Sequence, residues 1–250
     1  MPLSDLSLLA IGVSVAALFI GGIAKGSVGA GIPLIAMPVM ANFMSIPEAL
    51  VLLTVPIFLS NIWQSFQGGN FLLVGRMFWV VALVLALGIA LGTQLLIRLD
   101  DRTLYLVMAA VVLVQPLLRL AKPNFELGAK ARRIIGPGLA FVSGIIGGFS
   151  GFFGPLLLAY LAALRLQKDL FTASVALLFA VGGLSLFVFL SQVGFMGASQ
   201  FIASSIAMAP VAIGVFVGQR IRARISQKQF ERALTIVLVF TGLSLLLKAF

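Results

Sequence analysis

The apolar residues of the chain fall into eight long stretches that short polar segments separate. These stretches cover about residues 5–42, 47–66, 71–97, 103–120, 134–163, 169–190, 197–220 and 228–249. A helix crosses the hydrocarbon core of a bilayer with roughly 20 apolar residues, whereas barrel strands alternate polar and apolar positions over about 10 residues. The lengths therefore predict membrane helices. The first and fifth stretches are too long for one ordinary span, and each predicts a broken or re-entrant helix pair.

The two overlong stretches contain the same glycine-rich segment twice. The first copy, GIAKGSVGAGIPL, begins at Gly22, and the second, GIIGGFSGFFGPL, begins at Gly144. At one constant offset (144 − 22 = 122) the identical pairs are Gly22/Gly144, Ile23/Ile145, Gly26/Gly148, Gly29/Gly151, Pro33/Pro155 and Leu34/Leu156. Glycine and proline interrupt helices, and inside a bilayer the freed backbone groups are tolerated only where protein or a watery cavity satisfies them. Paired breaks in two halves therefore indicate a transport site.

The composition restricts the class of protein to integral membrane proteins. Hydrophobic residues make up 61 % of the chain and charged residues only 10 %, too few to cover a soluble fold with a polar surface. The chain has no cysteine and no histidine, which argues against an enzyme, a metal site or any other cofactor. The net charge of +10 is explained by basic loops beside anionic lipid headgroups, so we expect no nucleic-acid partner.

The positions of the basic residues predict the topology, because Lys and Arg of short loops concentrate on the cytoplasmic side. If both overlong stretches return to the side from which they start, one face collects Arg76, Arg119, Lys122, Lys130, Arg132, Arg133, Arg165, Lys168, Arg220, Arg222, Arg224, Lys228 and Arg232. The other face then keeps only Arg98, Arg102 and Lys248. We therefore predict an all-α membrane protein of about 8–10 membrane segments, with both termini outside. Eight simple spans in two parallel halves are the alternative.

In this arrangement each half contains an odd number of segments, so the second half is inserted upside down. The prediction is two inverted-topology repeats, residues 1–120 and 134–250, within one membrane domain and joined by a cytoplasmic linker at residues 121–133. Later segments also correspond, since glycines four residues apart occur at Gly88–Gly92 and Gly214–Gly218. That spacing favours close helix packing. Capping-box spacing at Ser45–Glu48 and Ser226–Gln229 predicts two helix starts.

Lys25 is the one basic residue that this topology places near the middle of the membrane. An ionised side chain there costs roughly 2.5–3.5 kcal/mol on insertion scales, so it needs a partner, and a bound anion would provide one. The alternative is that Lys25 lies near a surface and extends its amine into it. The acids lie at predicted segment ends or in loops, among them Glu48 and Asp169 at matching helix starts (169 − 48 = 121). A coupling proton would therefore be carried by Lys25, by the substrate or by a surface carboxylate.

Small residues beside Lys25 and in the second copy are candidate anion ligands through their backbone. We expect them to begin the returning half-helices, whose free N–H groups and positive dipole ends bind oxyanions. They are Gly26, Ser27 and Gly29, with Gly148, Ser150 and Gly151. The alternative for the glycines is close helix packing.

The second apolar stretch adds two amide side chains. Asn61 and Gln64 lie three residues apart and share a helix face that can line a polar route. Hydrogen bonding between helices is the alternative for both residues.

The two glycine-rich, proline-containing segments, each followed by a polar-capped helix, resemble the TauE/SafE family of membrane permeases. The likeness is carried by GGIAKGSVGAGIPLIAMPVM from Gly21, by the helix from Ser45 to Asn61, and by SGIIGGFSGFFGPLLLAYL from Ser143. One departure is that Gly147 stands in the second copy where Lys25 stands in the first.

The resemblance implies a secondary transporter for a small anion, sulfite or an organosulfonate such as sulfoacetate, that works by alternating access around the two breaks. It also implies export across a bacterial-type plasma (inner) membrane. An anion channel is the alternative function, since a channel can use the same helix ends. A proton as coupling ion and a homo-oligomeric state stay open at this point.

Overall fold

A computed structural model describes residues 7–67, 69–121, 129–221 and 227–250. Within these ranges every regular element is a helix, and there is no strand. The helices are α1 (Leu8–Val28), α2 (Ile32–Met40), α3 (Ile46–Phe66), α4 (Phe71–Leu96), α5 (Asp101–Ala121), α6 (Ala129–Ser150), α7 (Gly154–Ala163), α8 (Lys168–Gln192), α9 (Ala198–Ile206), α10 (Met208–Ile221) and α11 (Gln227–Lys248). Each predicted stretch coincides with one helix or one pair of consecutive helices. Among the described residues, six segments are long and apolar enough to cross a membrane, so the prediction of an all-α membrane protein is confirmed.

The stretch predicted at 197–220 contains two helices rather than one. The regular helical hydrogen-bond pattern is interrupted at Ala207, which keeps φ −60° and ψ −18°, and Pro210 follows in the first turn of α10. A proline ring clashes with the carbonyl four residues earlier and supplies no N–H to it, and here that carbonyl belongs to Ile206. The end of α9 at Ile206 has this physical cause.

Both predicted breaks are present, and they occur at equivalent positions. The helix before the break ends at Val28 in the first copy and at Ser150 in the second, and the next helix begins at Ile32 and at Gly154. These bounds keep the sequence offset (150 − 28 = 154 − 32 = 122). The repeat is therefore a repeat of local structure as well as of residues.

At each break the chain turns back on itself. A Cβ atom placed on Gly21 would lie 3.2 Å from the Ile32 Cα, whereas eleven residues of continuous helix would separate them by about 16 Å. In the second copy a Cβ on Gly136 would lie 2.5 Å from the Tyr160 ring, and one on Gly147 would lie 2.7 Å from the Phe153 Cβ. Gly136 near the start of α6 meets Tyr160 in α7, and Gly147 near the end of α6 meets Phe153 directly before α7. These two helices therefore run antiparallel.

The contacts divide the chain into two compact units, and each unit draws on both repeats. The first comprises Met1–Pro56, Leu99–Leu120 and Gly194–Phe250, and the second comprises Ile57–Arg98 and Ala121–Val193. In the first unit α1 packs against α10 and α2, and α2 also packs against α11. In the second unit α4 packs against α6 and α8, and α7 packs against α6 and α8.

Paired glycines allow the closest helix approach in the first unit. A Cβ on Gly22 would lie 2.5 Å from the Val211 carbonyl oxygen and 3.1 Å from the Gly214 Cα. One turn later Gly26 meets Val215 in the same way. Because the contacts advance in the same direction along both helices, α1 and α10 run parallel.

The second unit repeats this crossing with the corresponding helices. A Cβ on Gly144 would lie 2.8 Å from the Gly88 Cα, and one on Gly92 would lie 3.0 Å from the Gly148 Cα. Helices α4 and α6 therefore also run parallel with their backbones in contact. The close packing predicted from glycines four residues apart is confirmed in both units.

Polar groups fix the two ends of the segment between α2 and α3. The Ser45 N–H donates to Glu48 Oε2 at 2.8 Å, which confirms this capping box, whereas Ser226 of the other predicted box lies outside the described residues. At the end of α2 the Lys248 Nζ donates to the Ala41 carbonyl at 2.9 Å, and Ser244 Oγ donates to Asn42 Oδ1 at 2.6 Å. A cation at a helix C-terminus is favourable, so α11 holds the returning helix in place.

The glycine crossings predict opposite effects for two alanine substitutions in α4. Gly92→Ala forces the α4 and α6 backbones apart and should destabilise the protein by about 1–3 kcal/mol. Gly75→Ala is the matched control in the same helix, because a Cβ there meets nothing within 4 Å. Alanine should instead stabilise the helix at that position by about 0.5–1 kcal/mol. Thermal unfolding midpoints of the detergent-purified variants measure both effects, and equal midpoints would contradict the close crossing.

Candidate functional site

Lys25 lies in the last turn of α1, directly before the first break. Lys25 is only 6 % exposed. This burial does not fit the alternative in which the Lys25 side chain extends into a membrane surface. A positive charge in the last turn offsets the negative end of the α1 dipole. The first break therefore contains a buried basic residue, and the depth of Lys25 in the membrane stays a prediction.

The two break glycines end the first helix of each pair. Gly29 has φ 87° and donates its N–H to the Lys25 carbonyl at 2.7 Å, while Gly151 has φ 74° and donates to the Gly147 carbonyl at 2.8 Å. Left-handed glycines are the usual residues after a helix C-terminus. The expectation that these segments begin the returning helices is wrong, because their N–H groups are used in closing α1 and α6.

The other predicted small residues of the first copy face α10. A Cβ on Gly26 would lie 2.9 Å from the Val215 carbonyl carbon, and the Ser27 Oγ donates to the Ile23 carbonyl at 2.7 Å. The same hydroxyl is 3.4 Å from the Gly218 carbonyl oxygen. Packing, the alternative that the sequence left open for the glycines, is what Gly26 does in the structure, and binding by Gly26 and Ser27 stays a prediction.

In the second copy the corresponding residues pack against α4 and hold the break. Gly148 lies at the crossing, where a Cβ would be 2.5 Å from the Ile89 carbonyl oxygen. The Ser150 Oγ donates to the Ile146 carbonyl at 2.6 Å and accepts the Phe152 N–H at 3.1 Å. Ser150 thus links the end of α6 to the non-helical residues of the break. Binding by both residues stays a prediction.

The two amides of α3 lie beyond the midpoint of that helix. Asn61 is 3 % exposed and donates from Nδ2 to the Ile57 carbonyl at 2.8 Å, whereas Gln64 is half-buried. Their spacing places them on one face of the helix. Asn61 and Gln64 belong to the same compact unit as Gly148, Ser150 and Gly151, while Lys25, Gly26, Ser27 and Gly29 belong to the other unit.

The amides that begin the returning helices belong to residues that the sequence reasoning did not select. The first helical residues after the breaks are Ile32 and Gly154, each followed by a proline, Pro33 or Pro155. The first N–H groups of a helix have no partner inside the helix and carry its positive end. Proline at the start of a helix is a sequence signal that places these amides three residues after the break glycines.

The two breaks differ in what fills the space beside them. Phe153 stands at the position equivalent to Gly31 (153 − 31 = 122), and its fully buried ring packs edge to face on Phe179 at 5.2 Å. A Cβ on Gly147, the counterpart of Lys25, would lie 2.7 Å from Phe153. Gly31 has no side chain and adopts φ 142°, which L residues rarely adopt. The residue before α7 thus places an aromatic side chain at the second break, whereas the equivalent residue of the first break has no side chain.

The described residues contain no group of three or more His, Cys, Asp or Glu side chains that could hold a metal ion. The polar chemistry near the breaks consists of an amine, hydroxyls, amides and helix N-termini. These groups suit the binding of an anion.

Comparison of the sequence with known families assigns the chain to one of them. The sequence model of the family described as sulfite exporter TauE/SafE matches residues 14–245, nearly the whole chain. The chain belongs to this family. It is therefore a multi-pass membrane transporter rather than an enzyme, and it handles a small anion within the lipid bilayer. No individual curated protein and no solved structure matches the chain.

The role of Ser150 at the second break of this TauE/SafE protein gives a prediction. Ser150→Ala leaves the Phe152 N–H, on a residue only 2 % exposed, without its partner. An unsatisfied buried donor costs about 1–3 kcal/mol, which lowers the unfolding midpoint by about 2–12 °C in a chain of this size.

The control for this prediction is Ser191→Ala. The Ser191 hydroxyl is exposed and bonds only the Phe187 carbonyl of its own helix. We expect the unfolding midpoint of Ser191→Ala to stay within about 1 °C of that of the parent protein, since surface substitutions change stability little. A Ser150→Ala midpoint as high as that of the control would rule out the structural role of this hydroxyl.

Proposed function

We propose that this TauE/SafE protein is a secondary carrier that exports a small anion, sulfite or an organosulfonate such as sulfoacetate, across a bacterial plasma membrane. Transport proceeds by alternating access around the two breaks. The observation that carries the proposal is the duplicated break, with both helix ends at the same offset of 122 residues in the two repeats (150 − 28 = 154 − 32). Paired helix breaks in related halves are the usual position of substrate sites in secondary transporters.

The attraction for an anion comes from helix ends and from one cation. Helices α2 and α7 begin at Ile32 and Gly154 with first-turn N–H groups and a dipole end of roughly half a positive charge. Lys25, buried in the last turn of α1 beside the first break, supplies a positive charge when its amine is protonated. A full charge in a medium of low polarity attracts an anion far more strongly than it does in water.

Polar side chains complete the proposed path of the anion. Ser27 and Ser150 lie in the last turns of the helices before the breaks, and Asn61 and Gln64 place amides on α3. The two hydroxyls donate to the Ile23 and Ile146 carbonyls, so in the proposed path they rotate away from these carbonyls to replace part of the hydration shell that a sulfite or sulfonate group loses. Gly26 and Gly148 contribute by packing on α10 and α4, and Gly29 and Gly151 by ending the helices at the breaks, rather than through free amides.

We also propose that residues 1–120 and 134–250 are inverted repeats within one membrane domain. The reversal between α6 and α7 returns the chain toward the side from which α6 starts, so that Arg165 joins Arg133 on one face. Each half then has one returning pair and three further segments, and an odd number of crossings inverts the second half. The linker 121–133 is cytoplasmic and both termini are outside, as the positive-inside rule favours.

A coupling proton in this mechanism is carried by the substrate, by Lys25 or by a carboxylate at a helix start. Glu48 and Asp169 occupy the first turns of α3 and α8, the matching helices of the two repeats. A homo-oligomer is compatible with this scheme, because the anion path uses residues of one chain.

Counterflow tests the carrier against the alternative of an anion channel. Proteoliposomes preloaded with unlabelled sulfite should transiently accumulate external [35S]sulfite above equilibrium, because a carrier exchanges one anion for another. Protein-free liposomes give the background. A channel dissipates the gradient without exchange, so conduction of sulfite without counterflow would replace the carrier by the channel. Absence of both sulfite and sulfoacetate flux would reject the proposed substrates.

Lys25 gives the second test of the proposed function. Lys25→Gln removes the buried charge and should raise the apparent KM for sulfite counterflow by about tenfold, which corresponds to about 1.4 kcal/mol of binding free energy. Lys168→Gln is the control, because Lys168 is exposed at the start of α8 and should leave the KM unchanged. An unaltered KM in Lys25→Gln would remove this residue from the site.

A further inference from the structure

One buried hydroxyl in α6 has no hydrogen-bond partner. Ser143 is only 1 % exposed, and in the described part of the chain its Oγ is the one buried side-chain oxygen or nitrogen that lacks a partner. A serine within a helix can donate to the carbonyl four residues earlier, as Ser150 of the same helix does. A buried polar group without a partner is costly, and a native protein keeps one mainly where it has a functional role or binds a water or an ion. Ser143 therefore marks a place where a ligand can bind.

The Ser143 side chain lies on the face of α6 that contacts α7 and the break before it. Gly136 and Gly147 share this face, because both lie at helical spacings from Ser143 (143 − 136 = 7; 147 − 143 = 4). A Cβ on Gly136 would lie 2.5 Å from the Tyr160 ring in α7. A Cβ on Gly147 would lie 2.7 Å from the Phe153 Cβ, directly before α7. Because α6 and α7 run antiparallel, Ser143 lies between these two contacts and faces the first turn of α7.

The first repeat shows the same contact with the corresponding residues. Gly21 and Ile32 are the counterparts of Ser143 and Gly154 at the offset of the breaks (143 − 21 = 154 − 32 = 122). A Cβ on Gly21 would lie 3.1 Å from the Ile32 carbonyl oxygen and 3.2 Å from the Ile32 Cα. This position of the repeat therefore directs a side chain at the first residue of the returning helix. The second copy has a hydroxyl there, whereas Gly21 has no side chain.

The first turn of α7 provides further hydrogen-bond donors. Phe153 at the N-cap makes no side-chain hydrogen bond to this helix of ten residues. The first N–H groups of a helix have no partner inside it and carry its positive end. Gly154 and Leu156 supply such N–H groups, whereas Pro155 has none. Each of these three residues is half-buried, so the protein does not seal the first turn.

The surroundings of these donors are apolar. A Cβ on Gly154 would lie 2.9 Å from the Phe179 Cζ, and the Phe179 ring packs edge to face on the buried Phe153. Hydrogen bonds are electrostatically stronger in such surroundings than in water. Gly147 stands where the first copy has Lys25. The donors that meet at the second break are therefore a hydroxyl and backbone amides rather than an amine.

We propose that the Ser143 hydroxyl and the first-turn N–H groups of α7 form a subsite for one oxyanion group, a sulfite or a sulfonate. That this group belongs to the transported solute rests on the proposed function. Ser143 donates to an anion without giving up another hydrogen bond, whereas Ser27 and Ser150 must first release a carbonyl. The alternative is that Ser143 only fills space in the contact between α6 and α7.

Anion binding to the purified protein tests this subsite. The apparent Kd is obtained from the rise of the thermal unfolding midpoint with the concentration of sulfite or sulfoacetate, since a ligand that binds the folded state stabilises it. Ser143→Ala should raise this Kd by about tenfold, which corresponds to about 1.4 kcal/mol. Without anion, the midpoint should stay within about 1 °C of the parent value or rise, because the hydroxyl that is removed has no protein partner.

Ser174→Ala is the matched control. The Ser174 hydroxyl is also completely buried, but it donates to the Leu170 carbonyl of its own helix at 2.7 Å. This variant should leave the Kd at the parent value. An unchanged Kd in Ser143→Ala would overturn the subsite and leave the space-filling role. An equal rise of the Kd in both variants would also overturn it, because the effect would then not depend on position 143.

A thiol at position 143 tests the subsite without transport. Ser143→Cys contains a single thiol, because the chain has no cysteine. Two reagents of similar size modify that thiol, the anionic sulfonatoethyl methanethiosulfonate and the neutral hydroxyethyl methanethiosulfonate. After division by their rates with free mercaptoethanol, the anionic reagent should react about threefold faster, because the positive end of α7 attracts its sulfonate. A ratio of one or less, or no reaction with the anionic reagent, would overturn the subsite.

The outcomes separate this subsite from the proposed function. If the parent protein shows neither counterflow nor a rise of the midpoint with sulfite and sulfoacetate, the proposed substrates fail. The ratio of the two thiol rates then still decides whether position 143 and α7 attract an oxyanion. If the parent protein binds and exchanges these anions while Ser143→Ala keeps its Kd, the proposed function stands and the subsite fails.

Discussion

The contact on which the rest of the structure depends is the backbone-to-backbone crossing of two helices at paired glycines. Inside a bilayer there is no hydrophobic driving force between helices, so association rests on close packing and hydrogen bonds. Gly22 meets Gly214 in one unit and Gly88 meets Gly144 in the other. Each crossing joins a helix of one repeat to a helix of the other. Neither repeat can therefore complete a compact unit from its own residues.

The same glycine-rich segments impose the breaks directly after the crossings. In the first copy Gly26 lies in the contact with α10, and Gly29 then ends α1 in a left-handed conformation one turn later. This spacing fixes the break at a set distance from the crossing, and the second copy preserves it with Gly148 and Gly151. A glycine that had to bind a ligand in place of packing would weaken the contact that locates the break. The packing role thus comes first physically, and we propose that groups beside the packed glycines bind the anion.

The sequence was sufficient to predict features that depend on local periodicity and spacing. The segment bounds, the two breaks, the capping box at Ser45–Glu48 and the close packing at Gly88–Gly92 all follow from patterns within one stretch. The start of the returning helices was misplaced, because a glycine run alone does not distinguish the end of one helix from the beginning of the next, and Pro33 was the unused signal. The hydrogen bond from the Ser204 hydroxyl to the Leu52 carbonyl was not predictable, because it joins residues that are far apart in the sequence (204 − 52 = 152).

The repeats share a backbone frame but differ in the side chains that fill it. Lys25 and Gly31 in the first copy correspond to Gly147 and Phe153 in the second, and the aromatic ring occupies the second break. A carrier that alternates between two arrangements benefits from matching frames, because equivalent crossings give both arrangements similar packing energies. A single solute benefits from unequal side chains, because two equally charged breaks would compete for it. In the proposed mechanism, the duplication supplies the movement and the divergence between the copies supplies one anion site.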